Sequence, residues 1–208
     1  MKSDPTGTAH PPPRVPKARS AHPRPGPRRS TRNVFVISGR DERFRKRVFE
    51  LLRAVDLRPL EWEALVSATG HTVPSLLTIV QTALRQAQAV VVLLTPDDIV
   101  QLHPALHEGG EPAAETSPAM QPRPNVLIEL GMALMSCPER TIVIEVGDLR
   151  PVADLGGLNF IRFDGGEAAL GKLVQRLKNA GCPVDDTGTD WRRLRRFLHL
   201  EAYRRDPW

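Results

Sequence analysis

One carboxylate interrupts an otherwise apolar helical pattern. The stretch PRPNVLIELGMAL (122–134) has the composition of a buried helix, yet it contains Glu129. Burying a charged carboxylate without a partner costs several kcal/mol, so Glu129 is either partly exposed or has a chemical task. We expect Asn125 to cap this helix, which would place Glu129 at the fourth helical position, where the dipole favours an ionised carboxylate. The pattern leaves two interpretations open, a reactive carboxylate and a half-exposed glutamate that supports its own helix.

A second candidate lies in SGRDE (38–42). Gly39 permits a sharp turn, Arg40 offers a planar fork for a phosphate or carboxylate, and Asp41 can cap the helix that follows. Arg40 could equally be a solvated turn residue. Neither GxGxxG nor GxxxxGK[ST] occurs, so the sequence lacks the fingerprints of dinucleotide-fold and P-loop sites.

Two further clusters carry weaker signals. In TPDD (95–98), Asp97 and Asp98 follow an apolar strand, although Thr-Pro-Asp is also ordinary turn chemistry. HPALHE (103–108) places two histidines beside a glutamate, but the spacing is not HExxH, and we expect no metal site there.

The cysteine and hydropathy patterns bear on the compartment. Cys137 and Cys182 each precede a proline and form no CxxC motif, which is typical of buried thiols in a reducing compartment. The longest apolar run, AVVVLL (89–94), is too short to cross a bilayer, and the N-terminus has no signal-peptide h-region. We therefore expect a cytoplasmic protein without a membrane span.

The net charge of +5 is unevenly distributed. Residues 1–33 hold eight of the 29 basic side chains and one of the 24 acidic ones, a balance of +7, so residues 34–208 carry 21 basic and 23 acidic side chains, or −2. Eight prolines in the same segment predict a disordered basic tail over residues 1–32. A nucleic-acid contact is expected at most through this tail, and the remainder is not a binder of polyanions.

From Asn33 onward, strand patterns alternate with helical patterns. Strands are predicted at 33–38, 57–62, 89–94, 141–146 and 159–163, helices at 41–55, 74–86, about 125–135 and 167–181, and a long loop at 95–124. Five strands with intervening helices predict an α/β fold, a flavodoxin-like open parallel sheet of order 2-1-3-4-5 with helices on both faces. Ligands of such sheets bind beyond the carboxyl ends of the strands, here the loops after Ser38, Trp62, Leu94 and Val146.

The last residues form an arginine-rich segment. We predict a domain over 33–182 and a helical extension over 183–208, whose apolar side would hold four residues: Trp191, Leu194, Phe197 and Leu198. Packing of that side onto the domain, an oligomer contact and an anionic-surface contact are the alternatives, in that order.

Three stretches taken together resemble a known family. VFVISGRDERFRKRVFELLRAVDLRPLEW, AQAVVVLLTPDD and RPNVLIELGMAL, in this order, resemble the bacterial TIR-like domains described as predicted nucleotide-binding proteins, which serve as effectors of CBASS and Pycsar antiphage systems. The resemblance spans about residues 33–181. It implies a TIR-type fold, hydrolysis of NAD to nicotinamide and ADP-ribose, and Glu129 as the essential carboxylate.

The resemblance also implies a binding site. The expected substrate-binding residues are Ser38, Gly39, Arg40, Asp41, Trp62, Thr95, Asp97 and Asn125. Ser38 stands where the family usually has histidine, and Trp62 would either stack on a base or nicotinamide or lie in the core. NAD is expected as substrate, with no further cofactor.

TIR-type hydrolases commonly complete their active sites between subunits, so a homo-oligomer is expected. The segment after Gly181 is short for a sensor domain. Activation is therefore expected from self-assembly, a cyclic nucleotide or a partner protein. Two other functions stay open on the residues: a non-catalytic nucleotide-binding or TIR scaffold module that signals by assembly, and nucleoside or deoxyribosyl transfer on a similar sheet.

Overall fold

The protein is described by a computed structural model over residues 30–208, so the basic tail predicted for residues 1–32 lies almost wholly outside the described residues. A parallel sheet contains five strands: β1 (Asn33–Ile37), β2 (Arg58–Pro59), β3 (Ala89–Leu94), β6 (Thr141–Glu145) and β7 (Ile161–Arg162). They lie side by side in the order β2-β1-β3-β6-β7. Counted within this sheet alone, the order is the predicted 2-1-3-4-5, and the flavodoxin-like fold class is confirmed.

Helices cover both faces of the sheet. The helices are α1 (Glu42–Ala54), α2 (Trp62–Ala68), α3 (Leu76–Gln86), α4 (Ala113–Thr116), α5 (Pro124–Ser136) and α6 (Glu167–Asn179). One buried cluster joins α1 and α6 to one face of the sheet, and a second joins α3 and α5 to the other. All six residues of β3 are buried, because a central parallel strand is covered on both sides.

Several predicted elements differ in extent. The second and last strands shrink to two residues each, at Arg58–Pro59 and Ile161–Arg162. Trp62 therefore does not end a strand but begins helix α2, in a stretch for which the sequence predicted no helix. The predicted loop 95–124 contains an antiparallel ribbon of β4 (Asp98–Val100) and β5 (Ala119–Gln121). The ribbon was not predicted because its strands have three residues each, in a segment rich in proline and glycine, and so show no detectable hydrophobic period.

The C-terminal segment is not the predicted helix. It consists of short 3₁₀ turns at Asp190–Arg192, Leu194–Arg196 and Glu201–Tyr203. Trp191 and Phe197 are buried in the cluster shared with α1 and α6, whereas Leu198 is half exposed. The segment thus packs onto the domain. The side chains that it buries are not the set expected on one side of a helix.

No helix within residues 30–208 is both long enough and apolar enough to cross a bilayer.

Candidate active site

A crevice of about 280 Å³ opens at the carboxyl end of β1, where helices α1 and α2 begin. This position agrees with the rule that ligands of open α/β sheets bind beyond the carboxyl ends of the strands. Polar and charged side chains from three elements meet an apolar floor. The lining residues are Phe35, Val36, Ile37, Ser38, Gly39, Glu42, Arg45, Phe49, Leu60, Trp62, Leu65 and Glu129.

Glu129 reaches the crevice from helix α5. This helix begins with Pro124 as its first residue, so Glu129 is the sixth. The predicted N-cap at Asn125 is wrong: Arg123 occupies the capping position without a side-chain cap, and Asn125 is exposed in the first turn. Proline suits the first helical position because the missing N–H would have no intrahelical acceptor there, which shifts the start of the helix.

The Glu129 carboxylate is poorly solvated. Desolvation by burial raises its pKa to about 7. Within residues 30–208 no side chain forms a hydrogen bond or an ion pair with it. The helix dipole acts mainly within the first turn, so at the sixth position it stabilises the ionised form less than the sequence analysis expected. A carboxyl group whose pKa is raised by burial and that lies in a crevice is a candidate reactive group.

Glu129 also borders a second, smaller pocket. This pocket, of about 120 Å³, is formed by helices α3 and α5. Its other lining residues are Leu76, Leu77, Val80, Asn125, Ile128 and Met132. The carboxyl group therefore lies where a polar crevice meets an apolar pocket.

Trp62 lies on the wall of the crevice. As the first residue of α2 it is 46% exposed, so the alternative of a core tryptophan is wrong. An indole in this position can stack on an aromatic ring while its N–H remains available for a hydrogen bond.

Ser38 and Gly39 line the crevice directly. Gly39 leaves no room for a side chain, because a Cβ atom there would overlap Asp97 Oδ2. The glycine is thus required by the close approach of the loop after β3 to the loop after β1.

Arg40, Asp41, Thr95 and Asp97 form a network beside the crevice and do not line it. Asp97 Oδ2 accepts a hydrogen bond from the Arg40 N–H at 3.0 Å, and Asp97 Oδ1 accepts one from the Thr95 hydroxyl at 3.1 Å. Asp41 Oδ1 accepts from the Phe44 N–H at 2.8 Å and so caps α1, as predicted. Burial raises the pKa of Asp97, although its hydrogen bonds act in the opposite direction. The Arg40 side chain is exposed and has no partner in the described part of the chain.

The wall that helix α1 adds to the crevice was not predicted from the sequence. Arg45 donates to Glu42 at 2.6 Å, and its guanidinium carbon lies 5.0 Å from the centroid of the Phe49 ring. Glu42, Arg45 and Phe49 are three and four residues apart, the spacing of one helix face. The helical period of α1 could have identified these three residues, because they lie at the edge of the buried face that this period predicts.

The remaining predicted clusters take local roles. Asp98 pairs with Arg123 at 2.8 Å. His103 Nδ1 accepts from the Ala105 N–H at 3.2 Å, and His107 Nε2 lies 3.1 Å from the Leu102 carbonyl oxygen. In residues 30–208 no three His, Cys, Asp or Glu side chains are grouped as a metal site would require.

Comparisons with known proteins identify the family. A family model described as "CAP12/Pycsar effector protein, TIR domain" matches residues 33–165. The chain is also 25% identical over 156 residues to the uncharacterised protein YuaY of Escherichia coli strain K12, a match covering 74% of this chain. The chain spans about half of that relative, 48% of its length. With more than half of its residues matched, and with the sheet order expected of a TIR-type fold, the chain belongs to the TIR-domain family of CAP12/Pycsar effectors.

Proposed function

We propose that this TIR domain is a NAD⁺ glycohydrolase acting in bacterial antiphage defence, and that Glu129 is its catalytic carboxylate. The observation that carries the proposal is the position of Glu129: a desolvated carboxyl group that has no partner among residues 30–208, in a crevice at the ligand-binding edge of the sheet. Family membership supports the same reaction.

The reaction needs little more than one carboxylate. Water and NAD⁺ give nicotinamide, ADP-ribose and a proton. The bond between ribose C1′ and the nicotinamide nitrogen breaks with both electrons moving to the ring, so nicotinamide leaves neutral and needs no general acid. Positive charge develops on the ribose, and a carboxylate held beside it stabilises that charge before water attacks C1′.

Other residues in and beside the crevice suit the nicotinamide, the ribose and the pyrophosphate of NAD⁺. We assign Trp62 to stack on the nicotinamide ring, and Ser38 and Gly39 to the ribose beside Glu129. Arg40 stands exposed at the edge of the crevice, and Arg45 lies on its wall. Their guanidinium groups would bind the pyrophosphate, for which a planar fork of donors is well suited.

Size supports assembly of the active form. Ligand pockets generally measure about 300–1,000 Å³, and this open crevice of about 280 Å³ lies just below that range. We propose that a second copy of the chain supplies the remaining surface, and that a cyclic nucleotide or partner protein favours this assembly. The free, buried Cys137 and Cys182 are compatible with the reducing cytoplasm, where we place the activity.

The test is nicotinamide release from NAD⁺ at high protein concentration, with and without cyclic nucleotides. Glu129→Gln keeps the shape and removes the charge, and should lower the rate by at least about 10²-fold, as loss of a group that stabilises the transition state does. Glu139→Gln is the matched control, because its exposed carboxylate contacts only Arg140 among the described residues. Equal rates for Glu129→Gln and wild type would refute the proposal.

The competing function is a non-catalytic nucleotide-binding module. The observation that favours it is Ser38 in the crevice, where a hydroxyl replaces the family's usual imidazole. Absence of nicotinamide release under every condition, together with a melting temperature raised by NAD⁺ or another nucleotide, would select this module.

A further inference from the structure

Arg205, in the C-terminal segment, contacts both loops beside the crevice. Its Nη1 donates to the Pro96 carbonyl oxygen at 2.9 Å, and its Nη2 donates to Asp41 Oδ2 at 3.1 Å. Nη1 also lies 3.7 Å from Asp97 Oδ1. One guanidinium thus joins the loop after β1 to the loop after β3.

The two carboxylates that Arg205 contacts are buried. The Asp41 side chain is 9% exposed and the Asp97 side chain 1% exposed. Within residues 30–208, Arg205 is the only basic side chain in ion-pair distance of either. Without it, two carboxylates would share a poorly solvated site, and ionised carboxylates in that position repel each other and favour water over protein.

Each carboxylate in turn holds a piece of the crevice loop. Asp97 accepts from the N–H of Arg40, and Asp41 caps helix α1 directly after that residue. Movement of Asp97 out of its buried position would release the Arg40 backbone. It would also open the contact with Gly39, which admits no side chain.

We infer that Arg205 is a positioning residue for the nucleotide site: by neutralising Asp41 and Asp97 it holds the loop of Ser38, Gly39 and Arg40 in its binding conformation. Arg205 lies outside residues 33–165, the part of the chain that the family model matches. The link to substrate rests on the proposed function, whereas the link to loop order does not.

If Arg205 had a purely structural role, its removal would have different effects. Arg205 could merely fasten the C-terminal segment to the domain, as the buried Trp191 and Phe197 do. Its loss would then loosen that segment, and the charge of Asp97 would not matter. The two roles can therefore be distinguished by asking whether the effect of losing Arg205 depends on the charge of Asp97.

The first measurement is hydrogen exchange at the Arg40 amide, whose acceptor is Asp97 Oδ2. Arg205→Met should speed this exchange at least about tenfold, and Arg205→Lys, which keeps the charge but reaches fewer acceptors, should have an intermediate effect. Arg204→Met is the control, since Arg204 is exposed and pairs with no described carboxylate. In an Asp97→Asn background, which keeps an acceptor but not the charge, Arg205→Met should speed exchange less than about threefold. Equal effects of Arg205→Met in both backgrounds would overturn the inference.

The second measurement is steady-state nicotinamide release by the same variants. A displaced Arg40 weakens binding of the ground state and the transition state alike, so Arg205→Met should raise KM about tenfold with kcat changed less than about threefold. A loss confined to kcat would overturn the positioning role. If even the wild type releases no nicotinamide, the proposed function fails, and the exchange measurement still decides the role of Arg205.

Discussion

At the residue scale, the ionisation of Glu129 should set the pH dependence of activity. Burial raises its pKa to about 7, and the proposed reaction needs the carboxylate. The ionised fraction of the free enzyme grows as pH rises, so kcat/KM should increase through about pH 7 and level off above it. The cationic nicotinamide ring favours the ionised form in the complex, which should place the inflection of kcat at a lower pH. Rate profiles from pH 5 to 9 test this, and a kcat/KM that is flat between pH 6 and 8 would contradict it.

The same group should make the wild type less stable at neutral and alkaline pH than at acidic pH. Its folded-state pKa of about 7 lies above the ordinary 4.5, so between these values the folded chain holds a proton that the unfolded chain has released. The free energy of unfolding therefore falls as pH rises from about 4.5 to about 7, and stays at the lower level above that range.

Glu129→Gln has no ionisable group at this position, so its difference from wild type should measure the contribution of Glu129 to stability. After allowance for solvent screening of a partly exposed group, the variant should be more stable than wild type by about 1–2 kcal/mol at pH 8, or about 2–6 °C in Tm. The difference should shrink towards pH 5. Thermal melts at both pH values measure it, and an equal difference at pH 5 and pH 8 would exclude Glu129 as its source.

Gly39 should tolerate no side chain. Because a Cβ atom would overlap Asp97 Oδ2 and lie 3.1 Å from Arg123 Cγ, Gly39→Ala should lower the free energy of unfolding by about 1–3 kcal/mol. Gly171→Ala is the matched control: no atom of residues 30–208 lies within 4 Å of its Cβ position in α6, and a helical alanine there should add up to about 1 kcal/mol. Denaturant unfolding of both variants checks the opposite signs. A neutral Gly39→Ala would mean that the two loops separate easily.

At the element scale, the C-terminal segment is part of the core. Phe197 is fully buried, and its ring centroid lies 5.0 Å from that of Phe163 and 6.1 Å from that of Phe44. Phe197→Ala should therefore cost about 3–5 kcal/mol, whereas Leu198→Ala, at a half-exposed position, should cost less than about 1 kcal/mol. Urea unfolding measures both. Comparable losses would instead support the helix predicted from sequence, in which Phe197 and Leu198 share a side.

The elements that sequence reasoning located best are those with strong periodicity. β3 is a continuous apolar run, and α1 has a buried stripe with Asp41 as its cap, so both could be placed from residue types alone. The sheet order followed from right-handed crossovers. The two-residue strands and the ribbon of β4 and β5 could not be placed in this way, because they are defined by pairing with neighbouring strands and not by a pattern in their own sequence.

The candidate site was predictable to the same degree. Glu129 stood out because a carboxylate broke an apolar pattern, and Ser38 and Gly39 followed a predicted strand into the crevice. The contacts of Asp97 with Arg40 and Arg205 could not be predicted, because they join loops 57 and more residues apart. Only the folded chain brings those charges together.

At the scale of the whole molecule, one face leaves apolar side chains in solvent. On α3 and α5 these are Leu76, Leu77 and Ile128, with Met135 one heptad beyond Ile128 on the same helix. Met135 is 87% exposed, and the face is continuous with the apolar pocket beside Glu129. Contiguous exposed apolar surface marks interaction sites. A second copy on this face would add surface beside the crevice of about 280 Å³ that contains Glu129.

Activity should therefore depend on protein concentration. The rate of nicotinamide release per subunit should fall when the wild type is diluted through the range in which sedimentation shows dissociation. Met135→Glu places a charge on the proposed interface without touching the crevice. Both the dissociation seen by sedimentation and the fall in rate per subunit should therefore shift to at least about tenfold higher concentration. Leu106→Glu changes another exposed apolar side chain, 62% exposed, in the loop between β4 and α4, and should shift neither. A rate per subunit that stays constant through the dissociation range would show that one chain forms the complete site. Equal shifts in the two variants would show that the interface lies elsewhere, because charge at any exposed apolar position would then have the same effect.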